Sequence, residues 1–254
     1  MSDIKRIMIP TDFSRSAEGA LKYAAHLLAD NPDKEVTFVY VAEEDELARK
    51  LLASFKKQFQ EISKAKCTCM CIDGKMSTAL VKMQAESAFD LILMGTKGAI
   101  DGNEVTNTAR LVLDVDAPVL VIPESSNSYN IKNIALALDS KSIDDSSALN
   151  ALHAIARSHD ARIHVLTINN EDEPLKEDSS TEGVLDYYLE TLDFHHSFPK
   201  NVDIEKGIEK YVQKHHIDML AILPRTHSTK MPPSEGRLTK LLTMHSKIPL
   251  LALD

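Results

Sequence analysis

The sequence predicts an α/β protein built from one unit used twice, and three observations lead to that expectation. Apolar, strand-like runs alternate with helical periodicity, the pattern of a layered sheet with helical crossovers. In the first half, the first, second, fourth and fifth runs are almost continuously apolar, as happens where helices cover both faces of a parallel sheet. The segment IKRIMIPTDFS at 4–14 returns as IKNIALALDSK at 131–141, so the plan restarts 127 residues on.

In chain order, the first half reads as strands near 5–10, 36–41, 67–72, 90–95 and 118–122. Helices are expected between them at 15–29, 44–63, 77–87 and 106–114. Ser14 or Ser16 can cap the first helix and Ser77 the third, each by accepting a hydrogen bond from an otherwise unpaired amide. The segment ESSNSYN at 124–130 has turn and linker composition, which places the boundary near 126 and gives domains 1–126 and 127–254.

The second half repeats the plan with edits. DSSALNALHAIARS and then RIHVLTI answer the first helix and second strand. FDLILMG at 89–95 is answered by IDMLAIL at 217–223, and APVLVIP at 117–123 by IPLLALD at 248–254. Leu185, Tyr188, Leu189 and Leu192 have helical spacing, and FHHSF at 194–198 reads as the third strand. The acidic, serine-rich stretch at 169–183 reads as a loop.

Composition narrows the function classes. The chain has 254 residues, 43% of them hydrophobic and 26% charged, which is ordinary for a globular protein of two modest domains. Its 38 acidic and 29 basic side chains leave a formal charge of −9, which repels a phosphate backbone and argues against nucleic acid as a partner. No apolar run approaches the ~18 residues of a membrane span, and the opening MSDIKRIMIPTDF has too short an apolar stretch for a secretory signal. A cytosolic protein with no membrane partner is expected. Cys67, Cys69 and Cys71 alternate along one predicted strand and so share a face. Their number and spacing make no disulfide framework, which leaves core packing as the first reading and metal or redox chemistry as the second.

In open parallel sheets, ligands bind beyond the carboxyl ends of the strands, where the chain order reverses. Three features converge on that edge in the first half. Pro10, Thr11 and Asp12 leave the first strand, and Val39, Tyr40 and Val41 end the second. Met94, Gly95, Thr96, Lys97 and Gly98 leave the fourth, where glycines admit close backbone approach to a phosphate and Lys97 adds positive charge. Thr106 or Asn107 would open the following helix, whose free amides attract anions. Each feature also has a plainer reading, since turns after buried strands favour glycine and an aspartate there often caps a helix.

In combination, IMIPTDFS, LILMGTKG, TNTARLV and APVLVIP resemble the universal stress protein family in its tandem form, over nearly the whole chain. The resemblance implies two Rossmann-like, adenine nucleotide α-hydrolase-like domains, each a five-stranded parallel sheet of order 3-2-1-4-5 with helices on both faces. It also implies adenine nucleotide binding in the first domain, by ATP with magnesium or by AMP. Asp12 would contact the nucleotide near its ribose or metal, and Val41 would line the adenine pocket. Gly95, Lys97 and Gly98 would flank the phosphates, and Thr106 would donate to a phosphate oxygen. The family's ATP-binding signature is G-x2-G-x9-G-[S/T]. Here only the six residues Ala99 to Glu104 follow Gly98, and Val105 stands where the third glycine belongs. A β-branched residue crowds an approaching phosphate, and Asp101 and Glu104 add repulsive charge.

The second half departs further. Asp139 matches Asp12, but Pro224, Arg225, Thr226 and His227 replace the glycine turn, and proline removes an amide from any phosphate nest. That domain is expected to hold no nucleotide. Nine of the ten histidines lie in this half. His195 and His196 should point to opposite faces of a strand, and His215 and His216 should cap a helix end. His227 and His245, with Asp139, fall near the degenerate ligand edge without forming a chelate in sequence, and no metal site is assigned.

No Ser-His-Asp, paired-carboxylate or HExxH arrangement is visible, so no catalytic residue is expected. The leading reading is a stress-response binding or regulatory protein, with at most slow, incidental ATP hydrolysis. The rival is a ligand-independent scaffold for an unknown protein partner, and a nucleotidyl transferase is a weaker third. Pairing of the two halves as an intramolecular pseudo-dimer is expected, with a further homodimer left open.

Overall fold

In a computed structural model of the chain, the structure describes residues 3–28, 31–98, 106–138, 146–168, 185–201, 203–223, 243 and 245–253. The first half runs β1 (Arg6–Pro10), α1 (Arg15–Leu28), β2 (Glu35–Val41), α2 (Glu46–Ile62), β3 (Lys66–Ile72), α3 (Met76–Ser87), β4 (Leu91–Thr96), α4 (Asn107–Asp114) and β5 (Val119–Pro123). The second half runs β6 (Asn133–Leu138), a 3-10 turn (Ser146–Leu149), α5 (Asn150–His159), β7 (Arg162–Thr167), helix α6 over 185–189, β8 (Phe194–Ser197), α7 (Ile204–Lys214), β9 (Met219–Ile222) and β10 (Leu250–Ala252).

All ten of these strands join one sheet, in the order β3-β2-β1-β4-β5-β10-β9-β6-β7-β8. Each half therefore contributes its strands in the order 3-2-1-4-5, parallel within the half, and the fifth strands meet antiparallel. Two apolar layers sandwich the sheet. One holds Ile7, Ile9, Phe38, Phe59, Leu120 and Leu251, and the other Met8, Leu80, Ile92, Leu111, Val121 and Leu250. Along β5, consecutive residues Leu120 and Val121 fall in opposite layers, which is the strand alternation that makes continuous apolar runs necessary.

Local chemistry sets the element ends. Ser14 is the serine that caps α1, its Oγ accepting from the Ala17 amide at 3.4 Å, while Ser16 is buried and its Oγ lies 3.0 Å from that of Ser14. Asp45 and Asp203 cap α2 and α7 by accepting from the amides of Ala48 and Lys206. The expected cap at Ser77 is corrected: α3 begins at Met76 with Lys75 at the cap position and no side-chain cap bond. Ser77 already has helical backbone, so its hydroxyl stands inside the first turn rather than ahead of it. The linker is fastened down, because the Tyr129 ring stacks on His26 of α1 with centroids 4.0 Å apart.

Candidate functional site

The carboxyl edge of the first half is assembled around neighbouring strands β2, β1 and β4. As the chain leaves β1, the buried Thr11 donates its amide to the Val39 carbonyl at 2.9 Å, extending the β1–β2 pairing by one residue. Phe13 follows in a left-handed conformation at φ 60°, a strained position for a bulky side chain. The Phe13 amide donates to Thr11 Oγ1 at 3.1 Å and the Ser14 amide to Asp12 Oδ1 at 3.0 Å. Aromatic packing holds the same residue from below, with the Phe13 ring 4.9 Å from Tyr40 and 5.1 Å from Phe55. The tight turn leaves Asp12 exposed at the strand's exit, with one carboxylate oxygen engaged by the α1 start.

The exit of β4 is built differently. Thr96 is buried, and its Oγ1 accepts from the Gly98 amide at 3.1 Å, a turn that sets Gly98 at φ 77° where glycine is favoured. Lys97 is exposed at the top of this turn. Thr106 caps α4, its Oγ1 accepting from the Ala109 amide at 3.1 Å. Thr108 fastens that helix start to β4 by donating its hydroxyl to the Gly95 carbonyl at 3.3 Å. The Asn107 and Thr108 amides lie in the first turn, where a helix supplies no backbone acceptor.

Gly95 is also required for packing. A Cβ built on it would lie 2.0 Å from the Ser16 carbonyl oxygen and 2.4 Å from its carbon. The first turn of α1 occupies that space, so the missing side chain lets the helix pack against the strand. Met94 is buried, and Pro10 lies buried at the end of β1. Val41 is half-buried, pairs with Ile72 of β3 and packs on the second apolar layer. Asn107 is exposed at the head of α4. The structure thus gathers Thr11, Asp12, Val41, Lys97, Gly98, Thr106 and Asn107 at one edge. The 99–105 loop with Asp101, Glu104 and Val105 lies outside the described residues, as do Asp139, residues 224–227 and the acidic stretch 169–183.

A cavity of about 220 Å³ lies at the opposite, amino-terminal edge, lined by Asp3, Asp90, Asp116, Gln84, Phe89 and Asn150 among others. Its three carboxylates make it unsuited to a phosphate.

In the second half the structure assembles a polar cluster that no sequence signal announces. His164 is buried on β7, with Nδ1 3.0 Å from the Tyr211 hydroxyl and Nε2 3.3 Å from Asn133 Oδ1. The Tyr211 hydroxyl also lies 2.7 Å from Ser197 Oγ. The His195 ring centroid is 4.3 Å from that of His164, and His215 stacks on Tyr211 at 4.1 Å. Burial first, then the neighbouring His195 and His215, push His164 down to about 4. His196 turns away from this cluster toward Asp186, with Nε2 3.1 Å from Oδ1, as alternation on a strand requires. His215 is the C-cap of α7, and His216 follows at φ 50°. His245 is exposed, and His227 lies outside the described residues. Among the described residues, no group of three or more His, Cys, Asp or Glu side chains could hold a metal ion.

The model of the universal stress protein family matches residues 3–123. A universal stress protein from Archaeoglobus fulgidus is similar in structure, with a TM-score of 0.75 and 13% identity, covering 98% of this chain and 96% of its own. A functionally unknown protein from Pseudomonas aeruginosa PAO1 is also similar, with a TM-score of 0.63 and 15% identity, covering 98% and 92%. At these identities the likeness is one of fold. No curated protein matches in sequence.

Proposed function

We propose that this chain, whose residues 3–123 belong to the universal stress protein family, is a stress-response binding protein that takes an adenine nucleotide at the carboxyl edge of its first half. One observation carries the reading: the Thr108 bond to the Gly95 carbonyl holds the start of α4 against the exit of β4, beside the turn that raises Gly98 and Lys97. A capped helix start with amides to spare, a glycine at positive φ and an exposed cation form a compact receptor for an anion. Asp12, on the strand next to β4, suits a ribose hydroxyl, and Val41 offers an apolar wall to a base. Magnesium would arrive with a triphosphate as its counter-ion, held from the protein side by Asp12.

We assign the described residues of this edge the work of binding and orienting a ligand. We therefore read the protein as a binding module rather than an enzyme, working in the cytosol. No described helix is long and apolar enough to cross a membrane. The second reading, a ligand-independent scaffold for a protein partner, is favoured by Gly95, whose lost side-chain space is filled by α1 rather than left to a ligand. Calorimetric titration of the whole chain with adenosine, AMP and ATP, with and without magnesium, separates the two. Heat that saturates with at least one nucleotide and falls on Asp12→Ala supports the first, and no binding by any of them supports the scaffold.

A further inference from the structure

The two halves differ at a matched pair of positions on their outer strands. In the first half, Thr37 of β2 stands beside Thr68 of β3, with their hydroxyl oxygens 3.0 Å apart. The repeat offset of 127 residues puts His164 and His195 at the same places on β7 and β8, where their ring centroids lie 4.3 Å apart. A third imidazole, that of His215, reaches the pair from the end of α7, 5.9 Å from His164. A neutral hydroxyl pair in one half is thus a cluster of three titratable rings in the other.

The bonds around His164 fix its state. Asn133 Oδ1 can only accept, so Nε2 of His164 carries the proton donated to it, and Nδ1 is left to accept from the Tyr211 hydroxyl. Tyr211 Oη in turn accepts from Ser197 Oγ. One neutral imidazole on β7 thereby holds β6, α7 and β8 together. A second proton must go to Nδ1, where the Tyr211 proton already points, so both Tyr211 and Ser197 would have to turn their hydroxyls. Its charge also arrives beside the other two rings. Arg162 on β7 and Asp193 ahead of β8 are bonded to each other at 2.7 Å, Asn133 on β6 is neutral, and His215 is flanked along the chain by Lys214 and His216, so added charge on His164 meets like charge. The element best able to yield is β8, which has four residues, lies at the rim of the sheet beside β7 and carries His195 exposed.

We infer that this imidazole cluster is an acid-sensing latch, in which protonation of His164 together with His195 and His215 releases β8 from β7 while the rest of the sheet stays folded. Once β8 leaves, the charge on His164 reaches water and the amides and carbonyls along the edge of β7 are uncovered. In the closed sheet, burial first and then His195 and His215 hold the proton loss of His164 down to about 4, against 6.5 for the ordinary side chain. The open form therefore binds more protons between those values, and acid favours it there.

Amide hydrogen exchange of the full-length chain tests the latch, read by mass spectrometry at pH values of about 7.5 and 5 and corrected for the intrinsic pH dependence of exchange. The expected result is a rise of roughly tenfold or more in the opening of β8 at the lower pH, with β3, its counterpart at the other rim, and the central strands changed by less than about twofold. Giving β7 and β8 the threonine pair of the first half, His164→Thr with His195→Thr, should abolish the difference between the two rims. His196→Gln, on the opposite face of β8, should leave it in place. His164→Asn is a second way to remove the buried imidazole, and thermal melts at neutral pH show which variants are folded. A β8 that opens no more than β3 on acidification, an opening shared by the whole second half, or one that persists in either folded His164 variant overturns the assignment.

Discussion

Leu120 lies opposite Leu251 where the two halves meet, and each is the other's counterpart in the internal repeat. On either side, Val121 faces Leu250 and Val119 faces Ala252, which exchanges the repeat positions about that central pair. This is the self-complementary pairing of a two-fold interface, made within one chain. It also covers the two fifth-strand edges, which would otherwise template aggregation.

Both leucines are fully buried, so Leu120→Ala and Leu251→Ala should each cost about 2–5 kcal/mol through lost contacts and a residual cavity. Their combined cost should differ measurably from the sum, because each cavity borders the other. Urea denaturation of the two single variants and the double variant measures this. Strict additivity would mean that the strands do not share the contact.

A second repeated pair tests the duplication at the other end of the strands. Asp90 Oδ2 accepts from the amides of Lys5 and Arg6 at 2.7 and 2.8 Å, and Asp218 Oδ2 from those of Lys132 and Asn133 at 2.8 and 2.9 Å. Each carboxylate clamps the start of its half's central strand to the neighbouring fourth strand. Asp90→Ala and Asp218→Ala should therefore destabilise by similar amounts, about 1.5–3 kcal/mol each. A loss confined to one of them, read by denaturant midpoint, would show that the halves no longer use the clamp alike.

The repeat and nearly every boundary in the first half were legible because continuous apolar runs and helical spacing report burial directly, whereas the strand order came with the family resemblance. Ser77 misled because a serine near a helix start is equally good one residue too far in, and only the backbone tells which. The packing need at Gly95 was illegible for a related reason: its neighbour Ser16 comes 79 residues earlier, and a glycine in sequence does not say what fills the space beside it. The His164 cluster was illegible outright, since Asn133, His195 and the Tyr211–His215 pair reach it from three separate segments.

That cluster makes stability depend on pH. A neutral His164 is favoured in the fold, where its proton is lost at about 4, against 6.5 for the ordinary side chain. Between those values the unfolded chain binds more protons, so stability rises with pH there and falls on acidification. The loss begins near pH 6.5, is complete below about 4 and should reach roughly 3 kcal/mol from this group. His164→Asn should flatten that part of the profile, whatever it does to stability at neutral pH. Denaturant midpoints at several pH values check this, and an unchanged slope in the variant would assign the dependence elsewhere.

The two glycines of the β4 exit should fail in different ways. Gly95→Ala drives a methyl group into the Ser16 carbonyl and must displace the start of α1, at a cost of about 1–3 kcal/mol or more. Gly98→Ala places a side chain at φ 77°, at a cost of about 1 kcal/mol from the backbone. If the edge binds nucleotide, Gly98→Val should weaken binding with modest loss of stability, whereas Gly95→Ala should lower the melting temperature first. Asp139→Ala, in the half without the glycine turn, should leave nucleotide affinity unchanged.

Which nucleotide binds best turns on the segment between Gly98 and Thr106. The proposed phosphate receptor is the turn at Gly98 together with the start of α4, but the segment joining them is shorter than the family signature and carries Val105 in place of glycine. Phosphate affinity grows with the number of amides that converge on the oxygens, and a β-branched residue and two carboxylates in that segment work against convergence. The Asp12 and Val41 end, by contrast, is intact. Adenosine and AMP should therefore bind at least as tightly as ATP, and lengthening the segment by three residues with Val105→Gly should shift the preference toward ATP. Dissociation constants with and without magnesium decide it: unaltered protein that prefers ATP over AMP tenfold or more would show that Lys97 and the metal supply what the short loop lacks.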